Sequence, residues 1–136
     1  MTDLRRRIEA SFARQGMMAT LGARLGLIEP GRVCIEATVS DATSQQHGTG
    51  HAGLTFSLAD SAAGYAALTT LPDETEVVTS EFRISLLAPA TGVLVAEGRV
   101  IRPGRRLIAV AADVWAGEVH VATALGTMVP VPIRKP

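Results

Sequence analysis

Residues 45–64 of the chain read QQHGTGHAGLTFSLADSAAG. The first part is polar and broken by glycines, as in a loop, and the second part is a continuous run of small and apolar residues. Between Ala52 and Pro72 the only charged residue is Asp60. Because a helix that is apolar on every side is a buried helix, we predict a buried central helix that carries one carboxylate.

The N-terminal segment predicts a second helix. Leu4, Ile8, Phe12 and Met17 recur at helical spacing behind possible capping residues, and we expect this helix to end near Gly16. It has no continuous apolar core, so we do not expect a secretory signal.

Two strands are predicted between this helix and the loop. Residues 29–32 read EPGR, and Pro followed by Gly favours a tight turn between strands. In the second strand the apolar residues alternate with polar ones, so one face is shared by Val33, Ile35, Ala37 and Val39. The polar run over 40–50 is predicted to be a loop.

The second half of the chain predicts four more strands. The central helix is expected to end near Leu71-Pro72-Asp73, and strand-like runs follow at 76–87, 92–102, 105–116 and 118–129. The Pro- and Gly-containing separators at 88–92, 102–104 and 116–117 indicate hairpins, and therefore a four-strand meander. We predict one α+β domain over residues 1–136, with an antiparallel sheet wrapped around the central helix.

Composition excludes several classes of function. Thirteen basic residues balance thirteen acidic ones, so no overall charge attracts nucleic acid or an anionic membrane. The hydrophobic content of 47% and the mean hydropathy of +0.26 are high for a small monomer, which indicates apolar surface buried between subunits. A single cysteine, Cys34, excludes an internal disulfide and fits a reducing compartment.

The apolar stretch 52–72 is long enough to suggest a membrane span. Its Ser, Thr and Gly content, its central Asp60 and its lack of an aromatic or basic belt argue against one. We expect a soluble, cytoplasmic protein with neither a membrane nor a nucleic acid as partner.

Three segments together are distinctive: HGTGHAGLTFSLADSAAGYAAL at 47–68, VTSEFRISLLAPA at 78–90 and VIRPGRRLIAVAADV at 100–114. They resemble the hot-dog-fold acyl-CoA thioesterases of the phenylacetic-acid-degradation (PaaI-like) type. That family has an Asn, then a Gly, then His-Gly-Gly, and an acid nine residues after the His. The resemblance covers nearly the whole chain, and it implies the hot-dog fold.

The resemblance also implies roles for individual residues. Asp60 stands at the position of the family's catalytic carboxylate, and His51 matches the motif histidine. Ala52 and Gly53 occupy the two Gly positions, of which the first has the backbone N–H that polarises the thioester carbonyl. Thr79 falls at a Ser/Thr position associated with the attacking water.

Two positions depart from the family pattern. Ala52 in place of Gly keeps the N–H group but adds a methyl group and restricts the backbone. Gln45 stands where the family has Asn, so the amide is kept one methylene further from the backbone.

Each of these residues also has a purely structural interpretation. A lone acid in a buried helix is as often a satisfied structural carboxylate as a catalytic one, and the flanking motif favours catalysis for Asp60. His51 is also interpretable as a hydrogen-bonding loop residue and Thr79 as an ordinary strand residue. His47 and His51 have the spacing of paired metal ligands on a helix, but the glycines around them indicate a loop and no third ligand is evident, so we expect no metal.

Arg105 and Arg106 follow a Pro-Gly pair, and their simplest interpretation is a solvated hairpin turn. The alternative is that they bind the phosphates of CoA, since Arg suits phosphate recognition.

The spacing of Ala52 and Asp60 bears on assembly. Eight residues on one helix span about 12 Å, whereas the oxyanion donor and the base must both be within about 3 Å of the reacting atoms. We therefore expect a homodimer in which Ala52 and Gln45 of one subunit face Asp60 and Thr79 of the other, and the resemblance implies further association to a homotetramer.

Two functions follow. The first is an acyl-CoA thioesterase without a cofactor, with Asp60 as general base or nucleophile. The alternative is a non-catalytic acyl-CoA-binding hot-dog protein. A lyase of the hot-dog hydratase kind has less support, because the motif resembles that of the thioesterases.

Overall fold

The computed structural model describes residues 3–133. It contains three α-helices, a short 3-10 helix and six strands that form one antiparallel sheet in the order β1-β2-β4-β5-β6-β3. In chain order the elements are α1 (Asp3–Ala13), α2 (Gly16–Thr20), β1 (Arg24–Glu29), β2 (Arg32–Thr38), the 3-10 helix (Asp41–Thr43), α3 (Ala52–Leu68), β3 (Thr75–Leu86), β4 (Val93–Arg102), β5 (Ile108–Ala116) and β6 (Val119–Pro132).

The central helix α3 packs on the concave face of the sheet, as the sequence predicts. Leu58, Ala59, Ala62 and Ala63 are completely buried. Small residues allow a very close approach: a Cβ built on Gly98 of β4 would lie 2.2 Å from the carbonyl carbon of Ala62. The backbone of α3 therefore rests directly on β4.

The opposite side of α3 is not covered by this chain. Phe56 is 37% exposed, and Ser57, Asp60, Ser61 and Gly64 are only partly buried. The sheet accounts for the apolar residues on one side of the helix. The apolar residues on the other side remain open to a partner.

The end of α3 differs from the prediction near residues 71–73. The helix ends at Leu68, and the chain continues through tighter turns in which Thr70 and Leu71 donate their N–H groups to carbonyls three residues earlier. Pro72 disfavours helical geometry in Leu71, so the helix does not continue to the predicted residues.

The predicted four-strand meander is wrong. The strands β4, β5 and β6 are consecutive neighbours, but β3 pairs with β6 at the far edge of the sheet. Residues 88–92 are consequently a crossover between distant strands and not a hairpin. Their composition favours chain reversal, but a turn signal does not specify which strands pair.

The first part of the chain is largely as predicted. Val33, Ile35 and Ala37 are fully buried on one face of β2, and Gly31 has a positive φ of 79° in the turn between β1 and β2. The prediction that Met17 belongs to the apolar face of the N-terminal helix is wrong, because Met17 is 54% exposed. A new helix begins at Gly16, and it places Met18 in the core instead.

The strand β3 forms an edge of the sheet over twelve residues. Its side chains are mostly exposed, and only β6 pairs with it in the part of the chain that the structure describes. A long, unprotected edge strand is a ready template for pairing with another chain. Among residues 3–133, no helix has the length and apolar character needed to span a membrane.

Candidate active site

Asp60 and Thr79 are in direct contact. Asp60 lies on the uncovered side of α3, where β3 runs alongside the helix, and Thr79 Oγ1 donates a hydrogen bond to Asp60 Oδ1 at 2.8 Å. The same hydroxyl lies 3.4 Å from the sulfur of Met128 on β6. The carboxylate predicted from the sequence is thus held by the strand residue predicted with it.

The surroundings of Asp60 change its proton affinity. Burial between α3 and β3 raises the pKa of this carboxyl, and the hydrogen bond from Thr79 partly opposes that effect. A carboxylate with a raised pKa binds a proton more strongly than a solvated one, so it is a better general base as long as it is ionised.

A pocket of about 290 Å³ lies next to this carboxylate. It follows α3 from Asp60 towards Leu68. Residues of α1, of the loop after α1 and of β3 border it. We call it the acid-side pocket; its lining includes Ser11, Gln15, Gly64, Tyr65, Glu76 and Thr79.

The N-terminus of α3 offers a hydrogen-bond donor. His51 is the N-cap residue, and its Nδ1 accepts the N–H of Gly53 at 2.8 Å. The N–H groups of Leu54 and Thr55 bond to the carbonyl of His51. Within the described residues the N–H of Ala52 has no acceptor, so this group remains available at the positive end of the helix dipole.

The residues of the predicted motif have different roles in this arrangement. Because Gly53 uses its N–H to bind the ring of His51, the free donor is that of Ala52. The Nδ1 of His51 accepts a hydrogen bond, so in the neutral ring the proton is assigned to Nε2. His51 thus has the structural role that the sequence left open, and this role fixes the start of α3.

A second pocket, of about 500 Å³, lies at this end of α3. We call it the donor-side pocket; its lining is mainly apolar and includes Met17, Leu21, His51, Ala52, Phe56 and Ile84. Phe56 contacts Phe82 of β3 edge to face, with ring centroids 5.4 Å apart.

Gln45 lies in the preceding loop and lines neither pocket. Its side-chain oxygen accepts the backbone N–H of His47. The side-chain NH₂ group has no acceptor within residues 3–133. His47 lies in the same loop, and the described part of the chain contains no group of three His, Cys, Asp or Glu side chains that could hold a metal ion.

The two halves of the candidate site do not meet in one chain. The acid-side pocket and the donor-side pocket have no lining residue in common. Ala52 and Asp60 are separated by eight residues of continuous helix, which corresponds to about 12 Å along the axis. No kink brings the donor and the carboxylate together.

Arg105 and Arg106 lie at the hairpin between β4 and β5, together with Arg102. The three arginines line an open depression of about 1000 Å³ on the outer face of the sheet, and within the described chain none has an acidic partner. Ile108 beside this hairpin pairs with Met128, which pairs with Thr79. Ile108, the first residue of β5, therefore lies two strands from Thr79, or about 10 Å across the sheet.

Several site residues could not be found from the sequence. Arg102 was interpreted only as part of a turn, although it stands three residues before Arg105. Met128 carries no signal beyond strand alternation. The residues Ser11, Gln15, Tyr65 and Glu76 come from α1, the loop after it, α3 and β3, and no local pattern connects them.

The comparison with known families gives a match over residues 47–123 to the model of the thioesterase superfamily. The chain belongs to the thioesterase superfamily. The match begins in the loop before α3 and includes His51, Asp60 and Thr79, so the family recognised from the motif is confirmed. This membership supports a hydrolase that acts on thioesters.

Solved structures agree with this thioesterase assignment. A thioesterase family protein from Silicibacter pomeroyi is 37% identical with a TM-score of 0.92, and the match covers 95% of this chain and 98% of that one. The Escherichia coli PaaI protein from the phenylacetic acid degradation operon is 22% identical with a TM-score of 0.87, covering 94% of this chain and 93% of that one. The second likeness shows the shared fold, which is the predicted hot-dog fold.

A curated relative points in the same direction. An inferred esterase of Saccharolobus solfataricus is 34% identical over 84 residues. The match covers 61% of this chain, and it spans only 59% of that relative.

Proposed function

We propose that this thioesterase hydrolyses acyl-CoA to a free acid and CoA, with Asp60 as the catalytic carboxylate. The observation that carries the proposal is the position of Asp60: it is the only charged group on α3, it is held by Thr79, and it opens into a pocket. Thioester hydrolysis needs an activated oxygen nucleophile and a donor for the developing oxyanion. Asp60 and the N–H of Ala52 have the chemistry for these two roles.

In the general-base route, Asp60 takes a proton from water while the water oxygen attacks the thioester carbon. The carbonyl oxygen becomes negative and accepts a hydrogen bond from the N–H of Ala52. The carbon–sulfur bond then breaks, and the thiolate of CoA leaves and takes the proton that Asp60 accepted from water. In the nucleophilic route, a carboxylate oxygen of Asp60 attacks the thioester carbon, and the carbon–sulfur bond breaks to release the CoA thiolate and leave a mixed anhydride. Water then hydrolyses this anhydride, which regenerates the carboxylate of Asp60, frees the acid and supplies the proton that the thiolate takes up.

We propose that the complete site forms between two copies of the chain. The open side of α3 and the unpaired edge of β3 are adjacent, and both would be covered by a partner. The donor-side pocket of one copy would then face the acid-side pocket of the other. Further association of dimers into a tetramer belongs to the same proposal.

We propose that Arg102, Arg105 and Arg106 bind the phosphates of CoA. The three guanidinium groups have no acidic partner in the described chain, and Arg is well suited to phosphate. An acyl-CoA substrate and a free Cys34 both fit the cytoplasm, which is the compartment that we propose.

Release of CoA from short, medium, long and aromatic acyl-CoA thioesters, measured with a thiol reagent, tests the function. Turnover that is lost in Asp60→Asn supports the proposal. Tight binding of acyl-CoA without turnover would instead establish the non-catalytic binding protein. Absence of both binding and turnover across the series would exclude acyl-CoA as the ligand.

A further inference from the structure

The acid-side pocket has a polar wall that the hydrolytic chemistry does not use. It extends from Asp60 along α3 to Leu68, eight residues or about 12 Å away. If the carbonyl of an acyl group lies near Asp60, the rest of the acyl chain can extend into this pocket. The chemistry of the far wall therefore bears on the identity of the acyl group.

One part of this wall is a hydrogen-bonded cluster around Tyr65. The tyrosine is only 5% exposed, and its hydroxyl accepts a hydrogen bond from Nε2 of Gln15 at 2.8 Å. The same hydroxyl lies 3.1 Å from the hydroxyl of Ser11, with which it shares a second hydrogen bond. The side-chain oxygen of Gln15 has no donor within residues 3–133, so an acceptor of this cluster is unused.

A second part of the wall is Glu76 of β3. This side chain is partly buried, and within the described residues it has neither an ion pair nor a hydrogen bond. Asp60 lines the same pocket, whereas no Lys, Arg or His among residues 3–133 lines it. Within the described residues of one copy, the pocket thus combines two carboxyl groups with amide and hydroxyl oxygens and no cation.

The middle of the pocket is open because residue 64 is glycine. A Cβ added there would have its nearest neighbours, the Met128 and Val77 side chains, at 3.9 Å, which is ordinary contact. A methyl group would therefore narrow the pocket without straining the fold.

We propose that the acid-side pocket receives the acyl group and selects one that carries a hydroxyl or another hydrogen-bond donor at its far end. This inference rests on the proposed thioesterase function. An unsubstituted alkyl chain would desolvate Glu76 and the Gln15 oxygen without giving them a donor, and an acyl group that ends in a carboxylate would be repelled by Asp60 and Glu76. Val77, Leu68 and Met128 contact the carbon chain.

The test uses three acyl-CoA thioesters of equal length: hexanoyl-CoA, ω-hydroxyhexanoyl-CoA and adipoyl-CoA. We expect kcat/KM for the hydroxylated substrate to exceed that for hexanoyl-CoA by about tenfold or more, because the donor pairs with a buried acceptor. We expect adipoyl-CoA to be the poorest of the three.

Two variants locate the preference in this pocket. Glu76→Gln removes one negative charge at constant size, so the ratio of kcat/KM for adipoyl-CoA to that for hexanoyl-CoA should rise about tenfold. Gly64→Ala should raise the melting temperature, since Ala favours a helix over Gly by about 1 kcal/mol. It should at the same time lower the ratio of kcat/KM for ω-hydroxyhexanoyl-CoA to that for acetyl-CoA.

The matched control is Glu74→Gln, which removes a charge two residues away, at an exposed position outside the pocket. It should leave all the ratios at the wild-type values. Turnover of acyl-CoA with no preference for the hydroxylated substrate, or with ratios that neither variant changes, would overturn this inference and leave the proposed function standing. Absence of turnover with every acyl-CoA would overturn the proposed function itself, and this inference with it.

Discussion

Thr79 Oγ1 lies 2.8 Å from Asp60 Oδ1 and 3.4 Å from the sulfur of Met128. A hydroxyl has one hydrogen, and a carboxylate is a better acceptor than a thioether, so Thr79 donates to Asp60. This bond occupies one oxygen of the carboxylate and leaves Oδ2 for a water molecule or a thioester carbon. This hydrogen bond connects the middle of α3 with the edge strand β3.

Replacing Asp60 with Asn should separate activity from stability. The variant keeps an oxygen that accepts from Thr79 but cannot take a proton, so kcat should fall by about a hundredfold or more. Because burial raises the pKa of Asp60, the folded state disfavours its ionised form, and Asp60→Asn should melt no lower than wild type at neutral pH.

The melting difference should disappear in acid, where the carboxyl of the wild type is protonated in both the folded and the unfolded states. Asp73→Asn is a control for loss of charge, since the Asp73 side chain is fully exposed in a turn and loses only an ion pair of 4.0 Å with Arg7. A folded Asp60→Asn protein with near-wild-type turnover would remove Asp60 from the chemistry.

Thr79→Val should shift the pH dependence of kcat/KM. The hydrogen bond from Thr79 stabilises the ionised carboxylate, so its loss raises the pKa of Asp60 further. A base acts only when it is deprotonated, and the acid limb of the pH profile should therefore move to higher pH. Thr79→Ser keeps the hydroxyl and should keep the wild-type limb. Identical acid limbs in Thr79→Val and wild type would show that this hydrogen bond does not tune the catalytic group.

His51 should act through the start of α3. Its ring accepts the N–H of Gly53 as an N-cap, so His51→Ala should cost about 1 kcal/mol of folding free energy, whereas His51→Asn keeps a capping acceptor and most of the stability. If positioning of the Ala52 donor is the only role, His51→Asn should also restore most of kcat. If His51→Asn is as stable as wild type but only as active as His51→Ala, the imidazole has a direct chemical role.

Much of the site could be predicted from sequence because it is local. The apolar run that contains Asp60 and the polar loop before it specify α3, and the family motif places His51 and Ala52 at its start. The pairing of β3 could not be predicted, because alternation in Val77–Leu86 indicates a strand but not its neighbour. Likewise, Gln15, Tyr65 and Glu76 line one pocket only after the loop that follows α1 has packed with α3 and β3.

Gln45 should contribute through its amide nitrogen. Its side-chain oxygen is used by the backbone N–H of His47, which leaves the NH₂ group as the free donor. Gln45→Glu removes that donor and should lower kcat/KM about as much as Gln45→Ala. Gln45→Asn should retain activity, since Asn readily makes the same bond two residues along the chain. Equal kcat/KM in all four forms would show that residue 45 has no part in the reaction.

Complementation between two inactive chains should test the shared site. Asp60→Asn damages the acid side, and Ala52→Pro removes the N–H on the donor side. Ala52 is the first residue of α3, where Pro is well tolerated, and His51 before it is extended, with φ −62° and ψ 143°. The proline variant should therefore fold, and circular dichroism checks that it does.

In a heterodimer of these two chains, one site carries both lesions and the other carries neither. Mixing the variants under conditions in which subunits exchange should restore activity, up to about one intact site in four if pairing is random. The control mixture, Asp60→Asn with Asp60→Ala, places a lesion in every site and should stay inactive. Native mass spectrometry measures the exchange. Confirmed exchange without recovered activity would mean that donor and carboxylate act within one chain, which requires α3 to bend between residues 52 and 60.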